Sequence, residues 1–238
     1  MNGDVIRICR LIIDSLPTRI RNSKLLFNIL AAVLNENKFL YNFRDFYDQN
    51  PDFSLSELYK EESPYYSNSY STTTDCNSLH QTILKKYLLQ IQPSSLIDVG
   101  CGSGYLLEQI HNYLKGISLY GIDLASQPHE KDSEIKIYSG DLNSHLLSIE
   151  DNSYEVAICS HVVEHLNNPR FIISELRRIS TIAIVVILPL EKKFKWGLNY
   201  HVQFFADKEQ FLKLARPSKN STYNTYEFLG DLMYIEKI

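Results

Sequence analysis

The segment from Asp98 to Gly104 has the residue types and spacing most suited to binding a ligand. An apolar run ends at Asp98, glycines follow at Gly100, Gly102 and Gly104, and a second apolar segment then begins. Glycine lacks a Cβ atom and adopts positive φ readily, so a ligand can lie against this backbone where the N-terminus of the next helix points at it. The loop differs from the G-x-G-x-x-G loop of dinucleotide sites, because Tyr105 stands three residues after Gly102. The pattern therefore predicts a ligand site of another kind at a strand end.

Two further acidic residues end the next two apolar runs. Asp123 follows Tyr120-Gly121-Ile122, at the spacing where a βαβ unit presents a carboxylate to a ribose diol. Asp141 follows Ser139-Gly140 and is suited to accept a hydrogen bond from an adenine amino group. Each acid alone is more often a loop residue or a helix cap. Together with Asp98, at three successive strand ends, they predict one adenosine-bearing ligand at the point where the strand order reverses.

Three histidines stand near the same predicted strand ends. His161 directly follows the fourth apolar run, His165 comes one helical turn later, and His201 lies in a loop that can fold over these ends. The pKa of imidazole lies near working pH, so a histidine there is suited to remove a proton from a substrate. The alternative for each is a packed or capping histidine. We expect His161 and His201 to be the candidate bases or substrate contacts.

The segment His161-Val162-Val163-Glu164-His165 also matches the H-x-x-E-H signature of one class of zinc peptidases. That class requires the motif inside a helix and a third ligand downstream. Here the motif begins at the end of an apolar strand and follows a complete cofactor-type loop. We therefore expect no bound metal.

The elements that position these residues follow from the hydrophobic pattern. Short apolar runs alternate with helical patterns, which predicts βαβ units and a mostly parallel, doubly wound α/β sheet with helices on both faces. The C-terminal pattern differs, because Gly230-Asp231 joins two apolar runs and predicts an antiparallel hairpin. The five predicted parallel strands are Ser95–Val99, Leu119–Ile122, Ile135–Tyr138, Glu155–Cys159 and Ile182–Leu188.

The sequence divides into three predicted regions. Residues 1–55 carry apolar residues at helical spacing, which predicts an N-terminal helical lobe that acts as a lid or as a homodimer contact. Residues 56–78 are rich in polar residues and tyrosine and predict a linker. Residues 79–238 form the ligand-binding domain, and Ser78 is suited to cap its first helix.

Composition limits the cellular compartment and the kinds of partner that we expect for the protein. The net charge of -4 provides no general positive field for nucleic acid, so we expect none as a partner. The four cysteines share no C-x-x-C spacing, and no apolar stretch is long enough to span a membrane. These features predict a cytoplasmic protein.

The motifs resemble those of the class I S-adenosylmethionine-dependent methyltransferases. Asp98–Gly104 resembles their first motif, Asp123 their ribose-binding acid and Asp141 their adenine-side acid. Glu155–Leu166 and Tyr200–Phe205 resemble motifs after the fourth and fifth strands in the small-molecule branch. The resemblance covers about residues 79–238, and it implies a Rossmann-like sheet of seven strands with the last one antiparallel.

The resemblance also implies an activity and a set of site residues. The expected activity is in-line transfer of a methyl group from S-adenosyl-L-methionine to an oxygen of a small molecule, a sugar or a surface-glycan precursor. Tyr65 and Tyr66 are candidate substrate contacts, and His165 is more often structural in such families. The alternatives are a non-catalytic adenosyl-ligand-binding scaffold or a methyltransferase acting on RNA or protein. The expected cofactor contacts are Asp98, Gly100, Cys101, Gly102, Gly104, Asp123, Leu124, Asp141, Leu142 and Ser160.

Overall fold

A mixed β-sheet forms the centre of the computed structural model, which describes residues 3–34, 38–50, 53, 76–124, 135–193 and 199–238. Seven strands pair in the order β3-β2-β1-β4-β5-β7-β6. Their bounds are β1 Ser95–Val99, β2 Ser118–Asp123, β3 Ile135–Ser139, β4 Tyr154–Ser160, β5 Ser180–Pro189, β6 Thr222–Phe228 and β7 Asp231–Lys237.

The pairing pattern confirms the predicted topology. Strands β1 to β5 are parallel, and β7 lies antiparallel between β5 and β6. The register pairs Val99 with Ile122 and Asp123 with Ser139, so the carboxyl ends of β1, β2 and β3 meet at one edge. The strand order reverses between β1 and β4, which is where open α/β sheets bind ligands.

Helices cover both faces of the sheet. Because successive side chains of a strand point to opposite faces, Leu96 and Ile97 of β1 belong to two separate apolar clusters. Leu107 packs in the first cluster and Leu176 in the second, and all four side chains are buried. The helices of this part are α5 Ser78–Ile91, α6 Tyr105–Tyr113, α7 Leu142–Ser148, a 3-10 turn Val163–His165, α8 Pro169–Ile179 and α9 Lys208–Ala215.

Local capping explains where several of these helices begin. Asn168 accepts a hydrogen bond from Phe171 N and precedes Pro169, whose fixed φ suits a first helical residue. The start of α5 corrects one prediction. Asn77, not Ser78, is the cap, because Asn77 has extended backbone and its side chain accepts from His80 N at 2.9 Å.

The N-terminal residues are helical, in agreement with the sequence pattern. The side chains of Arg7 and Arg10 pair with Asp231 at the start of β7, and Phe43 packs edge-on against Tyr200 with ring centroids 5.0 Å apart. Among the described helices, none combines the length and the apolar character needed to cross a membrane. The helices are α1 Gly3–Ser15, α2 Thr18–Arg21, α3 Lys24–Leu34 and α4 Lys38–Gln49.

Candidate functional site

The glycine loop joins β1 to α6 and has two kinds of glycine. Gly100, Gly102 and Gly104 all have positive φ. A Cβ atom on Gly100 would lie 2.1 Å from Cγ2 of Val162, and one on Gly104 would lie 2.3 Å from Cδ1 of Ile137. A Cβ atom on Gly102 would meet no atom within 4 Å. Packing therefore requires the first and third glycines, whereas Gly102 borders open space that a ligand can fill.

Asp98 is a buried acid just before this loop. Its side chain is 2% exposed, and its Oδ1 atom makes no hydrogen bond to the described part of the chain. Burial, together with the nearby Asp123 carboxylate, raises the pKa of Asp98 to about 7. A buried oxygen of this kind is costly unless a partner is supplied. A ligand carrying an ammonium or another N–H donor would supply that partner.

Asp123 and Asp141 make contacts within the protein. The Gly102 N–H donates to Asp123 Oδ2 at 2.9 Å, so Asp123 holds the glycine loop against the end of β2. Asp141 is exposed and caps α7, where its Oδ1 accepts from the backbone N–H of Ser144 at 2.9 Å. These are the loop and cap roles that each acid alone would take. Their contacts with ribose and adenine stay predictions.

The remaining predicted cofactor contacts border the same edge. Cys101 is buried, and Leu124 and Leu142 are half-buried beside the ends of β2 and β3. Ser160 ends β4, and its Oγ atom has no hydrogen-bond partner among the described residues. Val162, two residues further, packs on Gly100, so the β4 end touches the glycine loop directly. Tyr65 and Tyr66 lie outside the described residues.

The three histidines surround a buried glutamate. His161 follows β4 with a φ of 55°, and its Nδ1 lies 3.4 Å from Oε1 of Glu164. Nε2 of His165 lies 4.0 Å from the same oxygen. Burial alone would raise the pKa of Glu164, but the imidazoles of His161, His165 and His201 outweigh burial and lower it.

His165 and His201 are each fixed through Nδ1. Nδ1 of His165 lies 3.2 Å from the Tyr200 carbonyl oxygen, and Nδ1 of His201 lies 2.6 Å from Oε1 of Glu191. The two rings pack edge to face with centroids 4.7 Å apart. Burial and the neighbouring His201 lower the pKa of His165 to about 4. His165 is therefore neutral at physiological pH.

Glu191 and Arg44 belong to this cluster, and sequence reasoning missed both. Glu191 is 1% exposed, and Arg44 Nη2 lies 3.8 Å from its Oε1. Burial would raise the pKa of Glu191, but His201 and Arg44 lower it to about 2. The sequence did offer a signal for Glu191, because it is a carboxylate shortly after the end of β5. An acid near a strand end is also the signal that identified Asp98. Nothing local in the sequence indicates that Arg44 would reach it.

The H-x-x-E-H segment does not form the geometry of a zinc peptidase. His161 has positive φ outside any helix, and only Val163–His165 form a 3-10 turn, so its two histidines do not share a helical face. The structure instead groups Glu164 and His165 with His201, and one ligand atom from each lies within 4.8 Å of the others. These are the residues that could hold a metal ion.

Comparisons with known proteins agree with this fold. The methyltransferase domain family matches residues 97–181. The chain is similar to the ubiquinone biosynthesis O-methyltransferase of Hydrogenovibrio crunogenus (strain DSM 25203 / XCL-2), with 29% identity over 163 residues. That match covers 63% of this chain and 62% of the relative.

Solved structures share the fold at low identity. The plantazolicin methyltransferase BpumL, in complex with a monoazolic desmethylPZN analogue and SAH, has a TM-score of 0.52 and 17% identity. The alignment covers 84% of this chain and 96% of that one. The [4+2]-cyclase SpnF has a TM-score of 0.53 and 12% identity over 77% of this chain and 94% of its own. Such a fold alone does not fix a reaction. The matching domain, the strand order and the glycine-loop edge support a class I S-adenosylmethionine-dependent methyltransferase.

Proposed function

We propose that this protein transfers the methyl group of S-adenosylmethionine to a hydroxyl oxygen of a small molecule or a sugar. One observation carries the proposal. The glycine loop and the histidine–glutamate cluster share one sheet edge, because Val162, between Ser160 and Glu164, packs directly on Gly100. A cofactor on the loop therefore lies next to groups that can bind an acceptor and take its proton.

The residues of the edge fit the cofactor. Gly102 borders open space, and Asp98 Oδ1 and Ser160 Oγ lack hydrogen-bond partners in the described part of the chain. S-adenosylmethionine carries an ammonium group, two ribose hydroxyls and an adenine amino group, which are donors of the kind these atoms need. Asp98 would take the ammonium or a hydroxyl, Asp123 the ribose diol and Asp141 the adenine side. When bound, the cofactor supplies a methyl carbon activated by a sulfonium.

The protein has two tasks in this reaction, alignment and proton removal. An in-line displacement depends mainly on holding the acceptor oxygen behind the methyl carbon. A hydroxyl acceptor also benefits from a base, and His161 is the best placed candidate, because it directly follows β4 beside the glycine loop. His201 is the other candidate, and its Nδ1 contacts Glu191 Oε1 at 2.6 Å. His161 would take the hydroxyl proton as the C–O bond forms and the bond between the methyl carbon and sulfur breaks, which leaves S-adenosylhomocysteine.

The name of the relative from Hydrogenovibrio crunogenus supports oxygen as the acceptor atom. The match spans 62% of that relative, so its substrate does not transfer to this chain. Substrate pockets in this fold come from lobes and loops, and here Phe43 and Arg44 of α4 reach Tyr200 and Glu191 at the cluster. The N-terminal helices are therefore the element that we expect to shape the acceptor pocket.

An acceptor screen tests the proposed function. The full chain is incubated with S-adenosylmethionine carrying a labelled methyl group and with panels of phenols, sugars, amines, thiols, peptides and RNA. We expect labelled product from the phenol or sugar panel, with one S-adenosylhomocysteine formed per methyl transferred. Transfer only to RNA, peptides, amines or thiols would contradict the proposal. Cofactor binding without transfer to any panel would favour the non-catalytic scaffold.

A further inference from the structure

We propose that Glu164, His165 and His201 form a binding site for one divalent transition-metal ion beside the cofactor edge. The three residues come from two segments that are far apart in the sequence, and a ligand atom from each lies within 4.8 Å of the others. This inference reverses the sequence-based expectation of no metal. Glu164 and His165 belong to the H-x-x-E-H segment, and His201 takes the place of His161 in the proposed site.

Glu164 gives the first independent indication of a metal site. Its side chain is 1% exposed, and neither carboxylate oxygen makes a hydrogen bond within the described part of the chain. The nearest groups are imidazole nitrogens, at 3.4 Å for His161 Nδ1 and 4.0 Å for His165 Nε2. A buried carboxylate is stable only when it is paired or coordinates a metal. Both of these contacts reach Oε1, so Oε2 has no partner in the described part of the chain.

The contacts behind the two histidines give the second indication. Metal-binding histidines commonly donate their other ring N–H to a carboxylate or a backbone carbonyl, which fixes the tautomer. The Nδ1 atoms of His165 and His201 face the Tyr200 carbonyl at 3.2 Å and Glu191 Oε1 at 2.6 Å. When Nδ1 donates in each ring, the lone pair lies on Nε2. Both imidazoles therefore have the tautomer that binds a metal through Nε2.

Backbone hydrogen bonds hold the two halves of the site together. The N–H groups of Val202 and Gln203 both donate to the Glu164 carbonyl oxygen, at 2.8 and 2.9 Å. The Gln203 side chain also donates to the Leu166 carbonyl at 2.9 Å. The loop that carries His201 is thereby fixed to the turn that carries Glu164 and His165. Ligands in a closed site lie about 3–3.5 Å apart for metal–ligand bonds near 2.1 Å, so small side-chain rotations would complete the coordination.

The ligand set indicates the kind of ion. Two imidazoles and one carboxylate suit zinc, iron(II), cobalt(II) or manganese(II) better than magnesium, which prefers oxygen ligands. Three protein ligands leave at least one coordination position open. In turnover, an acceptor hydroxyl would occupy the open position and become more acidic there. This catalytic role of the ion rests on the proposed function. Binding of the ion does not depend on that function.

Metal titration of the full chain tests the site. Chelator-treated, dialysed protein is titrated with Zn²⁺ and with Co²⁺, and bound metal is counted by elemental analysis. We expect one ion per chain and a visible Co²⁺ absorption band. Glu164→Gln, His165→Asn and His201→Asn should each weaken binding by more than tenfold, and Glu191→Gln by about 10–100-fold as a residue that orients a ligand. His111→Asn and Glu150→Gln, which lie outside the cluster, serve as matched controls.

Melting curves of the metal-free variants separate lost binding from lost folding. If Glu164→Gln does not fold, His201→Asn, which lies on the loop, is the variant that tests the site. Stoichiometric binding that disappears in the ligand variants and persists in both controls supports the site, even where no acceptor is methylated. Absence of stoichiometric binding in the wild-type chain overturns it. Equal binding by folded ligand variants overturns it as well, even where methyl transfer proceeds normally.

Discussion

Nε2 of His161 lies 3.9 Å from Oδ2 of Asp231, which is fully buried at the start of β7. The same carboxylate pairs with Arg7 and with Arg10, whose Nη2 lies 2.5 Å from Oδ1. Asn77, the cap of α5, donates to it at 3.2 Å. One side chain therefore joins the N-terminal helix, the C-terminal hairpin and the candidate base.

The first prediction concerns this carboxylate. Asp231→Asn leaves two guanidinium groups facing a neutral side chain in a buried site. Because removal of one partner from a buried ion pair leaves an uncompensated charge, we expect the free energy of unfolding to fall by about 3–5 kcal/mol in urea titrations. The exposed pair Lys208–Glu227 provides the control, and Glu227→Gln should change stability by less than about 1 kcal/mol. Equal changes in the free energy of unfolding for Asp231→Asn and Glu227→Gln would show that the ion pairs between α1 and Asp231 add little to stability.

The second prediction concerns pH and Asp98. Its pKa is about 7 in the folded chain, through burial and the Asp123 carboxylate, and about 3.8 when unfolded. Between these values the folded state binds more protons, so the free energy of unfolding should fall as pH rises from about 4 to 7. The loss attributable to this group is on the order of 4 kcal/mol. Above pH 7 this loss of stability is complete.

Asp98→Asn should remove this component of the pH dependence, which denaturant titrations between pH 4 and 8 would measure. The neighbouring groups with which Asp98 is compared are the Asp123 carboxylate and the Cys159 thiol. Burial and the nearby Asp98 raise the pKa of that thiol. Saturation with S-adenosylhomocysteine should also reduce the slope, because its ammonium would stabilise the charged form of Asp98. An unchanged slope in Asp98→Asn would assign the effect to another group.

The third prediction separates ligand space from backbone strain at a glycine. Gly102 and Gly116 both have positive φ, and neither would bring a Cβ atom within 4 Å of another residue. Valine at either position costs the same kind of strain, about 1–2 kcal/mol. Only Gly102→Val should abolish binding of S-adenosylhomocysteine in calorimetry. Loss of binding in Gly116→Val as well would mean that strain, not occupied space, is responsible.

The fourth prediction concerns the base. Asparagine tolerates positive φ, so His161→Asn keeps the backbone while it removes the imidazole. General-base help is worth about 10²–10⁴-fold, and kcat for a hydroxyl acceptor should fall on that scale. Cofactor affinity should stay near the wild-type value. Wild-type turnover in a folded His161→Asn chain would leave alignment alone to carry the reaction.

The sheet was predictable because burial imposes a pattern on each strand. The predicted and observed bounds of β1 agree at Ser95–Val99. Strand β5 runs longer than predicted, Ser180–Pro189, because its ends pair with Tyr154 and Asp231 through contacts that no local pattern encodes. The cap of α5 was misplaced by one residue, since Asn77 and Ser78 are both suitable and only the backbone geometry distinguishes them. The division into lobe and linker, and the homodimer contact, stay predictions.

The site was predictable where a strand end marks it and less so where distant segments meet. Asp98 and Asp123 each end or nearly end a strand, and the glycine loop follows directly. Arg44 contacts Glu191 from a helix at the other end of the sequence, so neither residue's own neighbours reveal the pair. Asp231 was read as part of a turn, and its burial depends on two arginines of α1.

The ion pair of Arg7 with Asp231 also has a consequence for synthesis of the chain. The two residues are 224 positions apart, so the N-terminal helix emerges from the ribosome long before its partner exists. Domains synthesised from the N-terminus normally begin to fold in that order. Here α1 cannot complete its buried contact until β7 has been made, and closing so long a loop is entropically slow. Docking of α1 should therefore be a late event, after the sheet has received its antiparallel strands.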